Sequence, residues 1–241
     1  MKALFLPDDV GQGHAIRCRA LAEALEKRGH RVFTVGMLDE IPRDHMFHVA
    51  IIDRRSYVPP IPGIAKTVRI VDEYDSISAC DMSVLGSAMR GISEVGFRYT
   101  LIGPMYSLLR EEFRAERRVI RSREGILDVR AISGWTPATL AEMMGCARVV
   151  ITYGGMRAME AACVGTPSVV VHRNRGEKLN ADGLAEVGAA VVAAESQAER
   201  MADTLFKSPL EVRQRMSTVA MELVDGRGCE RVADAIEGLF R

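Results

Sequence analysis

The sequence predicts an α/β protein of two doubly wound lobes, with parallel sheets facing across a cleft. Three observations predict it. Short β-branched runs alternate with helical patterns along most of the chain, as parallel βαβ units require. A strand, a glycine pair and a helix follow one another twice, at Gly11-Gln12-Gly13 and at Gly154-Gly155. Between them, from Gly103 to Arg118, the pattern turns from apolar to densely charged, with Glu111, Glu112, Arg114, Glu116, Arg117 and Arg118. The boundary is placed there, giving an amino-terminal lobe over 1–115, a shorter second lobe over 116–228 and a carboxyl-terminal helix over 229–241. Ligands of such folds bind at the carboxyl ends of the strands.

Each element has a local reason. Strand patterns in the first lobe fall at Lys2–Leu6, Arg31–Val35, His48–Ile52, Thr67–Val71, Met82–Leu85 and Tyr99–Ile102. The first helix, from Gly13 to Lys27, places Ile16, Ala20, Leu21, Ala24 and Leu25 on one face and closes at Gly29-His30. Pro59-Pro60-Ile61-Pro62-Gly63 is a stiff loop. The second lobe reads as a strand over Ile126–Ala131, a helix from Pro137 to Met144 and the strand Val149-Val150-Ile151. A helix from Met156 to Val164 follows, then the strand Ser168–Val171, a charged loop His172–Lys178, a helix over Leu179–Val187 and a short strand Ala189–Val192. The tail is helical, broken at Ser208-Pro209 and Gly226-Arg227-Gly228; Val219, Leu223, Val232, Ile236 and Leu239 form packing stripes.

Composition narrows the function. Of 241 residues, 48% are apolar and 27% charged, which suits a globular protein with a full core. Lys+Arg and Asp+Glu are equal at 32 each, so no global field attracts nucleic acid or an anionic membrane. No apolar run approaches the ~20 residues that span a bilayer, and the first residues enter a strand without the pattern of a signal peptide. The 5 cysteines lack CxxC spacing, so buried thiols are expected rather than bridges or a zinc site. His45 and His48 have helical spacing but no third ligand, and neither a metal nor a cofactor is expected. These features point to a cytoplasmic protein, with an exposed tail helix that suits a homodimer.

The glycine turns carry the chemistry. A glycine-rich turn opening a helix presents unpaired N–H groups and the positive end of the helix dipole, which attract phosphate. The first such turn also holds His14, and the helix end disfavours an imidazolium, so a neutral ring able to act as a base is expected at its mouth. A plain helix cap or a ligand contact is the competing role. In the second turn Gly154-Gly155 follows Thr152-Tyr153, and Glu160 lies one turn inside the helix, where a carboxylate can take both hydroxyls of a ribose. A mere tight turn and a solvated glutamate compete with that reading. Asp53 and Asp72 each follow an apolar strand and share the strand-end crevice with His14, with loop capping as the alternative.

Taken together these segments resemble a known family. Gly11-x-Gly13-His14-x-x-Arg17-Cys18-x-Ala20-Leu21-Ala22 resembles the opening of the UDP-sugar hydrolases of pseudaminic acid synthesis and of related spore-coat polysaccharide proteins. Ile70-Val71-Asp72-Glu73 resembles that family's second acidic strand end, and Cys80-Asp81-Met82 the start of its next strand. Leu101-Ile102-Gly103-Pro104-Met105-Tyr106-Ser107-Leu108-Leu109-Arg110-Glu111-Glu112-Phe113 is similar to that family's linker. The run from Gly154-Gly155 to Glu160, with Gly165-Thr166-Pro167-Ser168 and Asn180-Ala181, resembles the nucleotide-binding half of two-lobed glycosyltransferases.

The resemblance implies a GT-B architecture of two Rossmann-type lobes holding a UDP-sugar between them. His14 is then catalytic; Gly11, Gly13, Arg17, Asp53, Asp72 and Tyr106 contact substrate; Gly154, Gly155, Met156, Arg157, Glu160, Glu177 and Asn180 hold the nucleotide. Three departures stand out. The second lobe is shortened after Phe113, Met156-Arg157 replaces small hydroxyl residues but adds a phosphate clamp in Arg157, and Glu177 precedes Asn180. Glu177 repels a diphosphate unless Arg173, Arg175 or Lys178 offsets it. The leading expectation is hydrolysis of a UDP-N-acetylated sugar, with water as acceptor. The alternatives are a glycosyltransferase on the same scaffold and a non-catalytic nucleotide-sugar binder or partner subunit.

Overall fold

The computed structural model describes residues 1–8, 12–42, 46–54, 56, 58–71, 80–88, 100–117 and 123–241. They form two compact units, one of Met1–Gly86, Ile92–Leu108 and Gly228–Arg241, the other of Ser87–Gly91 and Leu109–Arg227. The chain therefore passes between units at Gly86-Ser87 and Gly91-Ile92, then at Leu108-Leu109, and last at Arg227-Gly228.

In the first unit the strands are β1 (Lys2–Pro7), β2 (Arg31–Thr34), β3 (Val49–Asp53), β4 (Lys66–Ile70), β5 (Met82–Leu85) and β6 (Thr100–Ile102). They pair in parallel in the order β2-β1-β3-β4-β5-β6. Helix α1 (Gln12–Lys27) crosses from β1 to β2. It stops at Gly29, whose φ of 81° is left-handed, with His30 N–H donating to Leu25 O and Gly29 N–H to Glu26 O. Glycine suits that position because a Cβ there is strained. Leu21 and Leu25 of α1 are buried against Phe5, Ile51 and Val68, each contributing about 1.5–3 kcal/mol of burial. The opposite sheet face is covered by loop side chains: Leu38, Ile41, Ile61 and Ile64 pack with Phe47 and Val58. The stiff proline loop forms part of that cover.

The second unit contains α2 (Glu111–Ala115), β7 (Glu124–Asp128), α3 (Pro137–Cys146), β8 (Ala147–Tyr153), α4 (Met156–Val164), β9 (Ser168–Val171), α5 (Arg175–Glu186), β10 (Val191–Val192), α6 (Ala198–Lys207) and α7 (Leu210–Leu223). Its parallel sheet runs β10-β9-β8-β7. Three arginines close helix ends here: Arg123 donates to Val164 O (3.1 Å) and Gly165 O (3.0 Å), Arg117 to Met221 O and Val224 O, and Arg213 to Phe206 O. Carbonyls left open at a helix end favour such cationic donors.

α8 (Gly228–Gly238) returns to the first unit and packs Val232, Ala233 and Ile236 against α1. Arg28 donates to Asp234 (2.7 Å), and Glu237 accepts from His30 Nε2 (2.8 Å). The tail helix on which the sequence reading based a homodimer thus has its apolar stripe occupied. Two segments depart from their expected form. The charged run His172–Lys178 is not all loop, because Asn174 caps α5 by accepting from Glu177 N–H (2.9 Å), so that the helix begins at Arg175. The strand expected over Ile126–Ala131 lies at Glu124–Asp128, since the backbone turns at Arg130-Ala131. No helix among the described residues is long and apolar enough to cross a membrane.

Candidate functional site

The chemistry of the first unit gathers where α1 meets the carboxyl end of β3. His14, Arg17 and Cys18 lie three and four residues apart and so share one helix face. Asp53 ends β3 beside Pro7 of β1 and is 0% exposed. Its carboxylate accepts from Arg17 Nε at Oδ2 (2.6 Å), from Arg17 Nη2 at Oδ1 and from His14 Nδ1 at Oδ1 (2.7 Å). The Cys18 thiol donates to Oδ2 at 3.6 Å. Burial pushes the Asp53 carboxyl up, but the hydrogen bonds and charge of Arg17, then of His14, outweigh it and hold it below the ordinary carboxylate range. The Cys18 thiol is pushed far up by burial and by Asp53, and remains protonated.

Nδ1 lies 2.7 Å from an ionised oxygen and 3.0 Å from Arg17 Nη2; the closer carboxylate, which that guanidinium already serves, repels a lone pair, so we assign the ring proton to Nδ1. That tautomer puts the lone pair on Nε2. His14 is only 5% exposed, which corrects the expectation of a ring at an open helix mouth. The cause is Asp53, which draws the ring inward. Asp53 and Arg17, both assigned to substrate from the sequence, are here engaged with each other and with His14.

In the second unit β8 runs into Gly154-Gly155 and α4. A Cβ on Gly154 would collide with the Glu177 backbone, and its N–H donates to Val171 O (2.8 Å). Its carbonyl accepts from Asn180 Nδ2 (2.6 Å), while Asn180 Oδ1 accepts from Ala88 N–H (2.7 Å). Asn180 is thereby a buried clip that fixes the glycine turn. Gly155 is different: among the described residues nothing lies within 4 Å of the position its Cβ would take, and none of them crowds the backbone at the start of α4. Glu160 is 1% exposed and held from two sides, by Arg157 Nη1 on Oε2 (2.7 Å) and Arg110 Nη2 on Oε1 (3.1 Å). Burial raises the Glu160 carboxyl above its ordinary value, against the opposing charges of Arg157 and Arg110. Glu177 is offset as the sequence reading required: it accepts from Arg173 Nη2 (2.5 Å) and Arg173 N–H (2.8 Å), and the same guanidinium stacks 4.0 Å from the Tyr153 ring centre.

No protein-family model matches the chain, and no curated protein sequence matches it. Solved structures are similar over almost all of its length. They include the glycosyltransferase of kitacinnamycin (16% identity, TM-score 0.64, 98% of each chain covered). MurG of Acinetobacter baumannii is similar at 13% identity and a TM-score of 0.64, covering 98% of this chain and 99% of that one. The spinosyn rhamnosyltransferase SpnG, solved with thymidine diphosphate, is similar at 13% identity and a TM-score of 0.61, with 100% of each chain covered. The fold is GT-B.

Within this GT-B chain the remaining assigned residues fall out as follows. Gly13, second residue of α1, has nothing among the described residues within 4 Å of its Cβ position, whereas Gly11 and Asp72, like His45, lie outside the described residues. Tyr106 is partly buried against the core of the first unit, and Met156 against that of the second. His48 accepts from Lys2 N–H (2.9 Å), and its ring lies edge-on to Phe240. One participant escaped sequence reasoning. Arg110 reaches Glu160 across 50 positions, with no local pattern to announce it.

Proposed function

We propose that this chain transfers a glycosyl group from a nucleoside-diphosphate sugar to an acceptor hydroxyl, with His14 as the base. The observation that carries the reading is the His14–Asp53–Arg17 arrangement, which fixes the imidazole tautomer at the helix that follows the first glycine turn. The acceptor O–H gives its proton to His14 Nε2, its oxygen bonds to the anomeric carbon, and the bond from that carbon to the diphosphate oxygen breaks. The leaving diphosphate carries the charge. In the second unit the open backbone at Gly155, the start of α4 and Arg157 are the groups suited to receive it. The similar structures named as glycosyltransferases, one of them holding thymidine diphosphate, support transfer and a diphosphate ligand. A uridine donor carrying an N-acetylated sugar rests on the sequence resemblance.

Hydrolysis is the second reading, favoured by the small exposure of the His14 ring, which suits an acceptor as small as water. The test is incubation with UDP-N-acetylhexosamines and with thymidine-diphosphate sugars, with and without hydroxyl acceptors, while following nucleoside diphosphate release. Release only with an acceptor supports transfer; equal release without one supports hydrolysis. His14→Ala is expected to lower turnover by about 10²- to 10⁴-fold with donor affinity retained. Donor binding with no turnover under any condition, in the parent chain as in the variant, would leave only a binding protein.

A further inference from the structure

We propose that the diphosphate of the ligand draws Arg157 away from Glu160, and that this exchange uncovers Glu160 for the ribose. The inference rests on the nucleotide-sugar reading above and deepens it. Glu160 cannot receive a ribose as it stands, being 1% exposed with one oxygen on Arg157 and the other on Arg110. The two arginines are not equivalent. The Arg110 side chain is 13% exposed and lies 5.1 Å from the Phe113 ring centre, whereas that of Arg157 is 31% exposed on the first turn of α4. Arg157 is therefore the partner that can leave.

Its departure does not strand a bare buried charge, because Arg110 stays on Oε1. Removing the sole partner of a buried ion is costly, and the second arginine avoids this. A phosphate competes well for a guanidinium, since its oxygens match the planar fork in pairs. The same phosphate would find the open backbone of Gly155 two residues before Arg157. Diphosphate and ribose would then bind as coupled halves: phosphate takes the cation, and the carboxylate it vacates takes the hydroxyls. A nucleoside without phosphate meets a covered carboxylate.

The experiment compares UDP, uridine and inorganic pyrophosphate by titration calorimetry on the parent chain, Arg157→Met and Glu160→Gln. Arg157→Met changes a partly exposed side chain and keeps Arg110 on Glu160, so it is the variant expected to stay folded. It should weaken pyrophosphate and UDP by about tenfold or more while strengthening uridine. Glu160→Gln releases Arg157 and should strengthen pyrophosphate. Uridine unchanged or weakened by Arg157→Met, or pyrophosphate indifferent to both changes, would overturn the exchange. If no nucleotide binds the parent chain, the nucleotide-sugar reading fails, and the pyrophosphate measurements still decide whether Arg157 is shared between Glu160 and an anion.

Discussion

Asp53 shows how a single buried carboxylate can organise a site. Three donors from α1 meet it, so its replacement separates catalysis from stability. Asp53→Asn should lower turnover on the order of 10²-fold or more with little change in KM, because Nδ1 loses the acceptor that fixes its proton. Arg17→Leu should instead destabilise the first unit by about 3–5 kcal/mol, since it leaves Asp53 charged and buried without its main partner. Combining the two should restore much of that loss in a denaturant titration, and strict additivity would contradict the coupling. The sequence placed His14 and Asp53 at one strand-end crevice, and the family resemblance added Arg17. Neither revealed that Asp53 is the common acceptor of His14, Arg17 and Cys18, because which strand end faces the helix start is decided by sheet order. Strand patterns alone leave that order open.

At the scale of elements, the two glycines that open α4 serve different ends. Gly154 is fixed by packing: Gly154→Ala should destabilise by about 1–3 kcal/mol or more through its clash with the Glu177 backbone. Gly155 has a φ of −85° and open space at its Cβ position, so Gly155→Ala should leave the melting temperature within about a degree or two. Its added methyl should nevertheless weaken diphosphate binding, measured by calorimetry. Equal effects of both changes on the melt, with ligand affinity untouched, would remove Gly155 from the anion site. The helix Met156–Val164 was readable because Gly155 and Gly165 bracket an apolar stripe. The start of α5 was not, since the charged run hid the cap that Asn174 provides. The stripes of the tail were legible as packing surfaces but not as belonging to different bodies: Val219 and Leu223 pack in the second unit, Val232 and Ile236 in the first.

For the whole molecule, the two units should answer acid in opposite ways. Asp53 is held below its ordinary 3.8, so its pairing stabilises the first unit above about pH 4 and is lost as pH falls through the folded-state value. Glu160 is held above its ordinary 4.5, so its contribution to the second unit is full below that pH and declines as pH rises through the raised value. Calorimetric melts at several pH values between 7 and 3 should show one transition moving down relative to the other. Asp53→Asn should flatten the descending one, and Glu160→Gln the other. Two transitions that shift in parallel would refute the assignment. Two lobes could be read from alternating patterns, and at Leu108-Leu109, one passage between the units, the adjacent leucines are buried in different cores.

The return of α8 to the first unit bears on how the polypeptide matures during synthesis. On the ribosome every residue of the second unit has been made before α8 emerges. The core of the first unit still lacks Val232 and Ile236 at that point. A stall before Gly228 would leave their neighbours on α1 uncovered, a greasy surface open to quality-control machinery.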